Sequence, residues 1–202
     1  MNLTHDAMLV SLRITAWSGR LHDRRASNHV AAHHEASASA GRYNKRLLPK
    51  AAFAALGATA SAARSAHYAQ TLPWDDQGAR LLPVANYDRY TEILDGLRER
   101  MVRERARFVE DYDENVAQAR LDLGRLFRIE EYPSREELRL RFGLRYRIAP
   151  VPDAGHFMAR LASGDTDRIR HDIESRIEER LHDAVGALCR RLGAAVGRVS
   201  ER

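Results

Sequence analysis

The chain has 202 residues, 44% hydrophobic and 30% charged, a globular composition with length enough for a substantial core. Its formal net charge of +5 points towards a polyanionic partner. The lone cysteine, Cys189, excludes an intrachain disulfide and fits a reducing, cytoplasmic setting; no apolar run approaches the roughly 20 residues of a membrane span, and the opening residues lack the basic and apolar regions of a signal peptide.

Val10, Leu12, Ile14 and Ala16 alternate with polar residues, the period of a strand, which Ser18-Gly19 ends. The polar, histidine-containing stretch 21–37 suits a short helix, and 37–46 a loop. Phe53, Leu56, Ala60, Ala63 and His67 lie at helical spacing, so a helix is predicted over 50–70, with Pro49 before its start. Residues 71–85 carry two prolines and an Asp-Asp-Gln-Gly turn, as in a hairpin or an ordered loop with short extended pieces.

The longest signal follows. From Tyr87 the residues Tyr90, Leu94, Leu97, Met101, Arg105, Phe108, Tyr112, Val116, Ala119, Leu123 and Leu126 recur at three or four, close to coiled-coil spacing. One helix over 87–127, N-capped by Asn86, would be roughly 60 Å long, so part of it should project or pack on another long helix. Arg105 alone interrupts its stripe. Ser134 and Glu137 form a capping box for a short helix to about Phe142. Leu144, Tyr146 and Ile148 suggest a second strand, and 153–163 a short helix. A last helix carries Ile169, Ile173, Ile177, Leu181, Val185, Leu188, Leu192, Val196 and Val199, with Cys189 as a packed thiol. The expected fold is mainly α (α+β): two long amphipathic helices, shorter helices and a small sheet of two or three strands. Residues 1–164 would form one domain, with the helix of 165–202 packing on it or on a neighbouring subunit.

Catalysis finds no constellation. His29 and His33 share a helical face and could ligate zinc, but Val30 stands where the metalloprotease glutamate belongs and no other cluster supplies ligands; a solvated or phosphate-facing helix is favoured. The carboxylate pairs Asp75-Asp76, Glu130-Glu131 and Glu136-Glu137 each suit a turn or helix end. No phosphate-binding glycine loop and no nucleophile elbow occurs. The expectation is therefore a non-enzyme with no metal, cofactor or small-molecule substrate.

The basic residues carry more. Of 33 Lys and Arg, only Lys45 and Lys50 are lysines, and arginine's planar fork suits phosphates and bases. The segment from Gly41 to Arg46 gathers Arg42, Lys45 and Arg46 round Tyr43, which could stack on a base; a merely solvated loop is the competing account. Arg98, Arg100, Arg103, Arg105 and Arg107 crowd the long helix among Glu99 and Glu104, and Arg135, Arg139, Arg141, Arg145 and Arg147 form a second cluster, with Arg145 and Arg147 on one strand face. Trp17 and Trp74 are expected as buried anchors. The predicted nucleic-acid contacts are Arg42, Tyr43, Lys45, Arg46, Lys50, Arg64, Arg98, Arg103, Arg139, Arg145 and Arg147.

The blocks GRYNKRLLPK, TLPWDDQGARLLP, FVEDYDENVAQARLDLGRLF and YPSREELRLRFGLRYRIAPVP, spread over roughly Leu9 to Pro152, resemble a phage, prophage and plasmid family, the domain of unknown function 3150. The resemblance implies a mobile-element setting, in which DNA replication, recombination and packaging are common tasks, and it assigns no residue a role. Together these point to a phage-type protein that binds DNA, single-stranded DNA above all, as a homo-oligomer in recombination, annealing or replication. The alternative is a helical adaptor that assembles with itself or a partner ATPase without touching DNA.

Overall fold

The computed structural model describes residues 6–75, 78–151, 171, 175–180, 182–190 and 193. The fold is mainly α with a small antiparallel sheet. In chain order it comprises β1 (Ala7–Thr15), β2 (Arg20–His22), α1 (Arg24–His33), β3 (Asn44–Arg46), a 3₁₀ turn (Lys50–Phe53), α2 (Ala54–Gln70), β4 (Leu72–Pro73), β5 (Arg80–Pro83), α3 (Tyr87–Glu110), α4 (Tyr112–Leu123), α5 (Arg135–Arg141) and β6 (Gly143–Pro150). It falls into two compact units: Met1–Arg13, Ala62–Gly96 and Arg145–Arg202 in the first, and Ile14–Ser61 and Leu97–Leu144 in the second.

The sheet has the order β4-β5-β1-β6, four strands against the two or three expected. The extra strand comes from the proline-bearing hairpin, whose Leu72 and Pro73 face Leu81 and Arg80. Along β1, Ala7 pairs with Pro83 and Leu9 with Leu81. In the first unit Ala7, Leu81 and Val151 form a buried cluster on which Leu9, Leu72, Trp74 and Ile177 pack. Trp74 thus packs on the core but is only half-buried, short of the buried anchor expected. Ile177 brings the helical residues 175–180 onto this sheet cluster. Among the described residues of that last helix, Val185, Leu188 and Cys189 are exposed, so Cys189 is not the packed thiol expected; Ala184 is the buried position there. The helix predicted over 153–163 and most of the stripe of 165–202 lie outside the described residues.

The C-terminal end of α2 is closed by side chains. Thr71 Oγ1 donates to His67 O at 2.6 Å, and Asn86 Nδ2 donates to Gln70 O at 3.1 Å. Asn86 therefore serves this end of α2 and is not the N-cap of the long helix; a 3₁₀ turn, Val84–Asn86, leads into α3 instead.

The single helix expected over 87–127 is two. It breaks at Asp111, whose ψ of 3° departs from helical geometry. Asp111 O accepts both Asn115 N (3.0 Å) and Asn115 Nδ2 (2.8 Å), a side-chain bond that competes with the regular ladder. Gly124, at φ +49°, ends α4. The predicted stripe stays the inner face across the break, with Phe108, Tyr112 and Ala119 buried and Val109 inside beside them. Arg105, the apparent flaw in the stripe, has a structural duty: its Nη1 donates to Arg139 O (2.9 Å) and Phe142 O (3.3 Å), carbonyls at the C-terminal end of α5 that no intrahelical donor reaches. The capping box at the other end of α5 is present as predicted, with Ser134 Oγ accepting from Glu137 N and Glu137 Oε2 from Ser134 N.

In the first unit His67 is buried, its Nδ1 3.0 Å from Tyr90 Oη. Burial, and then the charge of Arg80, push its pKa down to about 4, whereas Tyr90 is pushed well up by burial. In the folded state His67 stays neutral where the unfolded chain takes up a proton. Stability should fall as pH drops from about 6.5, the ordinary histidine value, towards about 4, and His67→Gln should remove that slope in urea titrations at stepped pH.

Candidate nucleic-acid interface

The second unit holds the basic loop, and its geometry starts at α1. Asp23 is the N-cap: its Oδ1 accepts from Ala26 N at 3.0 Å. Ser27 Oγ donates to Asp23 O (2.8 Å) and accepts from Tyr43 N (3.0 Å), while Asp23 N donates to Tyr43 O (3.0 Å). The backbone at Tyr43 is therefore clamped to the start of α1 on both sides, and the ring is left 40% exposed. The loop predicted over 37–46 then becomes β3, pairing antiparallel with β2 through Arg20–Arg46, Leu21–Lys45 and His22–Asn44.

Alternation along β3 turns Lys45 inward and Asn44 and Arg46 outward. Lys45 is 1% exposed. Its Nζ donates to Asp23 Oδ2 (2.9 Å) and Leu126 O (2.8 Å) and lies 2.6 Å from Glu131 Oε2. Its expected role as a phosphate contact is corrected: two internal hydrogen bonds and an ion pair with Glu131 hold this ammonium, and no surface reaches it. Burial alone would lower its pKa, but the carboxylates of Glu131 and Asp23 outweigh that and hold it above the ordinary lysine value. Asp23 is lowered to about 2, first by the Ala26 amide, then by Lys45.

Round this ion cluster opens a cavity of about 640 Å³ lined by Arg25, Asn28, His29, Tyr43, Arg125 and Arg128. Its one carboxylate, Asp23, is already matched by Lys45, and Arg128 adds a further positive influence on it. Arg25 and Arg125 make no ion pair among the described residues. Sequence reasoning missed Arg25, Arg125 and Arg128; they are scattered through the chain, and only the packing of α1 beside the turn Gly124–Leu126 collects them. Arg42 lies with Tyr43 on a second cavity, of about 380 Å³, against α1.

Arg46 and Lys50 are exposed and line a third, smaller cavity with Trp17 and Phe53. Trp17 is thus not the buried anchor expected. Arg98, Arg103 and Arg139 are exposed in the same unit; Arg103 pairs with Glu99 at 3.8 Å in the solvated pattern of such helices, and Arg139 lends its carbonyl to Arg105. Arg64, Arg145 and Arg147 are exposed in the first unit, with Arg145 and Arg147 on the outward side of β6 as the alternation foretold. His29 faces the 640 Å³ cavity, whereas the ring of His33 lies 5.0 Å from that of His34. No group of three potential metal ligands occurs among the described residues.

Among the described residues no helix is long and apolar enough to cross a membrane. Compared with known proteins, the chain matches no family model, no curated protein and no solved structure.

Replacing Lys45 by Met should leave Asp23 and Glu131 as uncompensated internal charges, lowering stability by about 3–5 kcal/mol. Urea unfolding followed by circular dichroism checks this.

Proposed function

We propose that this chain is a non-catalytic, phage-type DNA-binding protein that holds single-stranded DNA as a homo-oligomer in recombination, annealing or replication, in the cytoplasm of its host cell. The observation that carries the proposal is the 640 Å³ cavity: Arg25, Arg125 and Arg128 converge with His29 and the exposed Tyr43 ring, and the only carboxylate in the lining, Asp23, is paired with Lys45. Unopposed guanidinium groups favour phosphate oxygens, and their fork geometry lets each take two. A tyrosine held rigidly by its backbone offers a face on which a base can stack, a contact indifferent to sequence. No bond is made or broken; affinity comes from counterion release and stacking.

This mechanism makes binding steeply dependent on salt. In fluorescence anisotropy with a labelled oligonucleotide, affinity should drop by orders of magnitude between about 50 and 200 mM salt. Replacing Arg25, Arg42 and Arg125 together by Ala, all exposed, should weaken binding and flatten the log-log salt slope by about 2, close to 0.7 for each single-strand phosphate no longer neutralised. Absence of binding at the low-salt end refutes the proposal. Assembly into a defined oligomer with no affinity for DNA would instead favour a helical adaptor.

A further inference from the structure

The smaller cavity in the second unit, about 180 Å³, has a composition unlike the rest of the surface. Its floor is aromatic and aliphatic, with Trp17, Phe53 and Phe142; its rim holds Arg20, Arg46 and Lys50, and no carboxylate lines it. Two further observations bear on what belongs there. Arg20 and Arg46 stand directly opposite each other in the β2–β3 ribbon. Like charges at paired positions of a ribbon destabilise it, and here no described acid lies between them to relieve the repulsion. A bound anion would. Lys50, at the start of the 3₁₀ turn, adds a third cation to the same rim.

The aromatic floor is also held in place. Trp17 meets Phe53 edge to face at 5.7 Å, and the Arg141 guanidinium lies 5.5 Å from the indole centre. Phe53 in turn packs against Phe108 and Phe142. Gly19, at φ +61°, carries the chain so close that a Cβ there would lie 2.5 Å from Phe53 Cζ, so the turn between β1 and β2 seats directly on the ring. Rings fixed in this way, Trp17 and Phe53 at 71° to each other, present an apolar corner without an ordering cost on binding.

We infer that this cavity receives one unpaired nucleobase of a single-stranded nucleic acid, stacked on Trp17 with an edge towards Phe53, and with its flanking phosphates held by Arg20, Arg46 and Lys50. An inorganic anion would satisfy the cations but leave the apolar floor uncovered. A base within a duplex keeps its faces against its neighbours and has no ring to offer. Ser18 and the Trp17 indole N–H are the neutral polar groups in the lining, and the Ser18 hydroxyl already accepts from Arg20 N at 3.3 Å. Base edges therefore meet little that could discriminate them, and the site should accept any base. This rests on the DNA-binding proposal above and gives its preference for a single strand a seat in the structure.

Two tryptophans make the test direct. In a Trp74→Phe protein, whose altered side chain lies in the first unit, Trp17 is the sole indole emitter. Titration with a labelled thymidine oligonucleotide should quench Trp17 with the same midpoint as the rise in the label's anisotropy. Arg20→Glu and Lys50→Glu, both exposed positions, should each weaken the quenching by about tenfold or more while circular dichroism stays unchanged. If anisotropy rises while Trp17 emission does not change, or a duplex of equal length or inorganic phosphate quenches Trp17 as strongly, the inference is wrong and the DNA-binding proposal survives. If anisotropy does not rise with any oligonucleotide, the DNA-binding proposal itself falls and this inference with it.

Discussion

Lys45 organises the second unit. Its ammonium group bonds to Asp23, 22 residues earlier, and to the carbonyl of Leu126, 81 residues later, and pairs with Glu131 as well. Asp23 is at the same time the cap of α1 and, through its backbone amide, the anchor of Tyr43. One buried cation thus joins the start of α1, the strand β3 and the turn that follows α4. Removing a charge from water costs several kcal/mol, which two hydrogen bonds at 2.8–2.9 Å and the ion pair with Glu131 at 2.6 Å offset. With two carboxylates against one ammonium, the cluster itself is not positive, and the basic character of the surrounding surface comes from arginines alone.

Those arginines divide by what they face. Arg105 meets the carbonyls at the end of α5 and Arg80 the Thr71 hydroxyl and carbonyl; they hold structure together. Arg100, Arg103 and Arg107 face Glu99 and Glu104 along α3, pairs at solvated positions that contribute little. A third set, round Tyr43 and round Trp17, has cations beside aromatic rings, with Asp23 as the one acid lining either cavity. This is the set that the proposed polyanion would meet, and all of it belongs to the second unit. Net charge of the chain is a poor guide to this division, because it counts a helix-capping guanidinium and an unopposed one alike.

Features set by near neighbours were legible in the sequence. The alternation of β1, the capping box of Ser134 and Glu137, and the outward pairing of Arg145 and Arg147 all depend on residues a few positions apart. The helical stripe after Tyr87 was legible too, but not its break, which turns on the Asn115 amide bonding to Asp111 O. Lys45 was misplaced for a plainer reason: a lysine in a polar segment reads as surface, and nothing local reveals that Asp23 and Glu131 converge on it. The same distance hid Arg20. It lies outside the basic loop in sequence and faces Arg46 only once β2 and β3 pair.

Having only two lysines allows one measurement to address both the buried organiser and the exposed rim. The protein, with and without a single-stranded oligonucleotide, is treated with an amine-acylating reagent under native conditions and mapped by peptide mass spectrometry. Lys50 should be modified in the free protein and protected by the oligonucleotide, with Lys45 unmodified in both. Ready modification of Lys45 in the folded protein, or a Lys50 whose reactivity ignores bound DNA, would contradict the account.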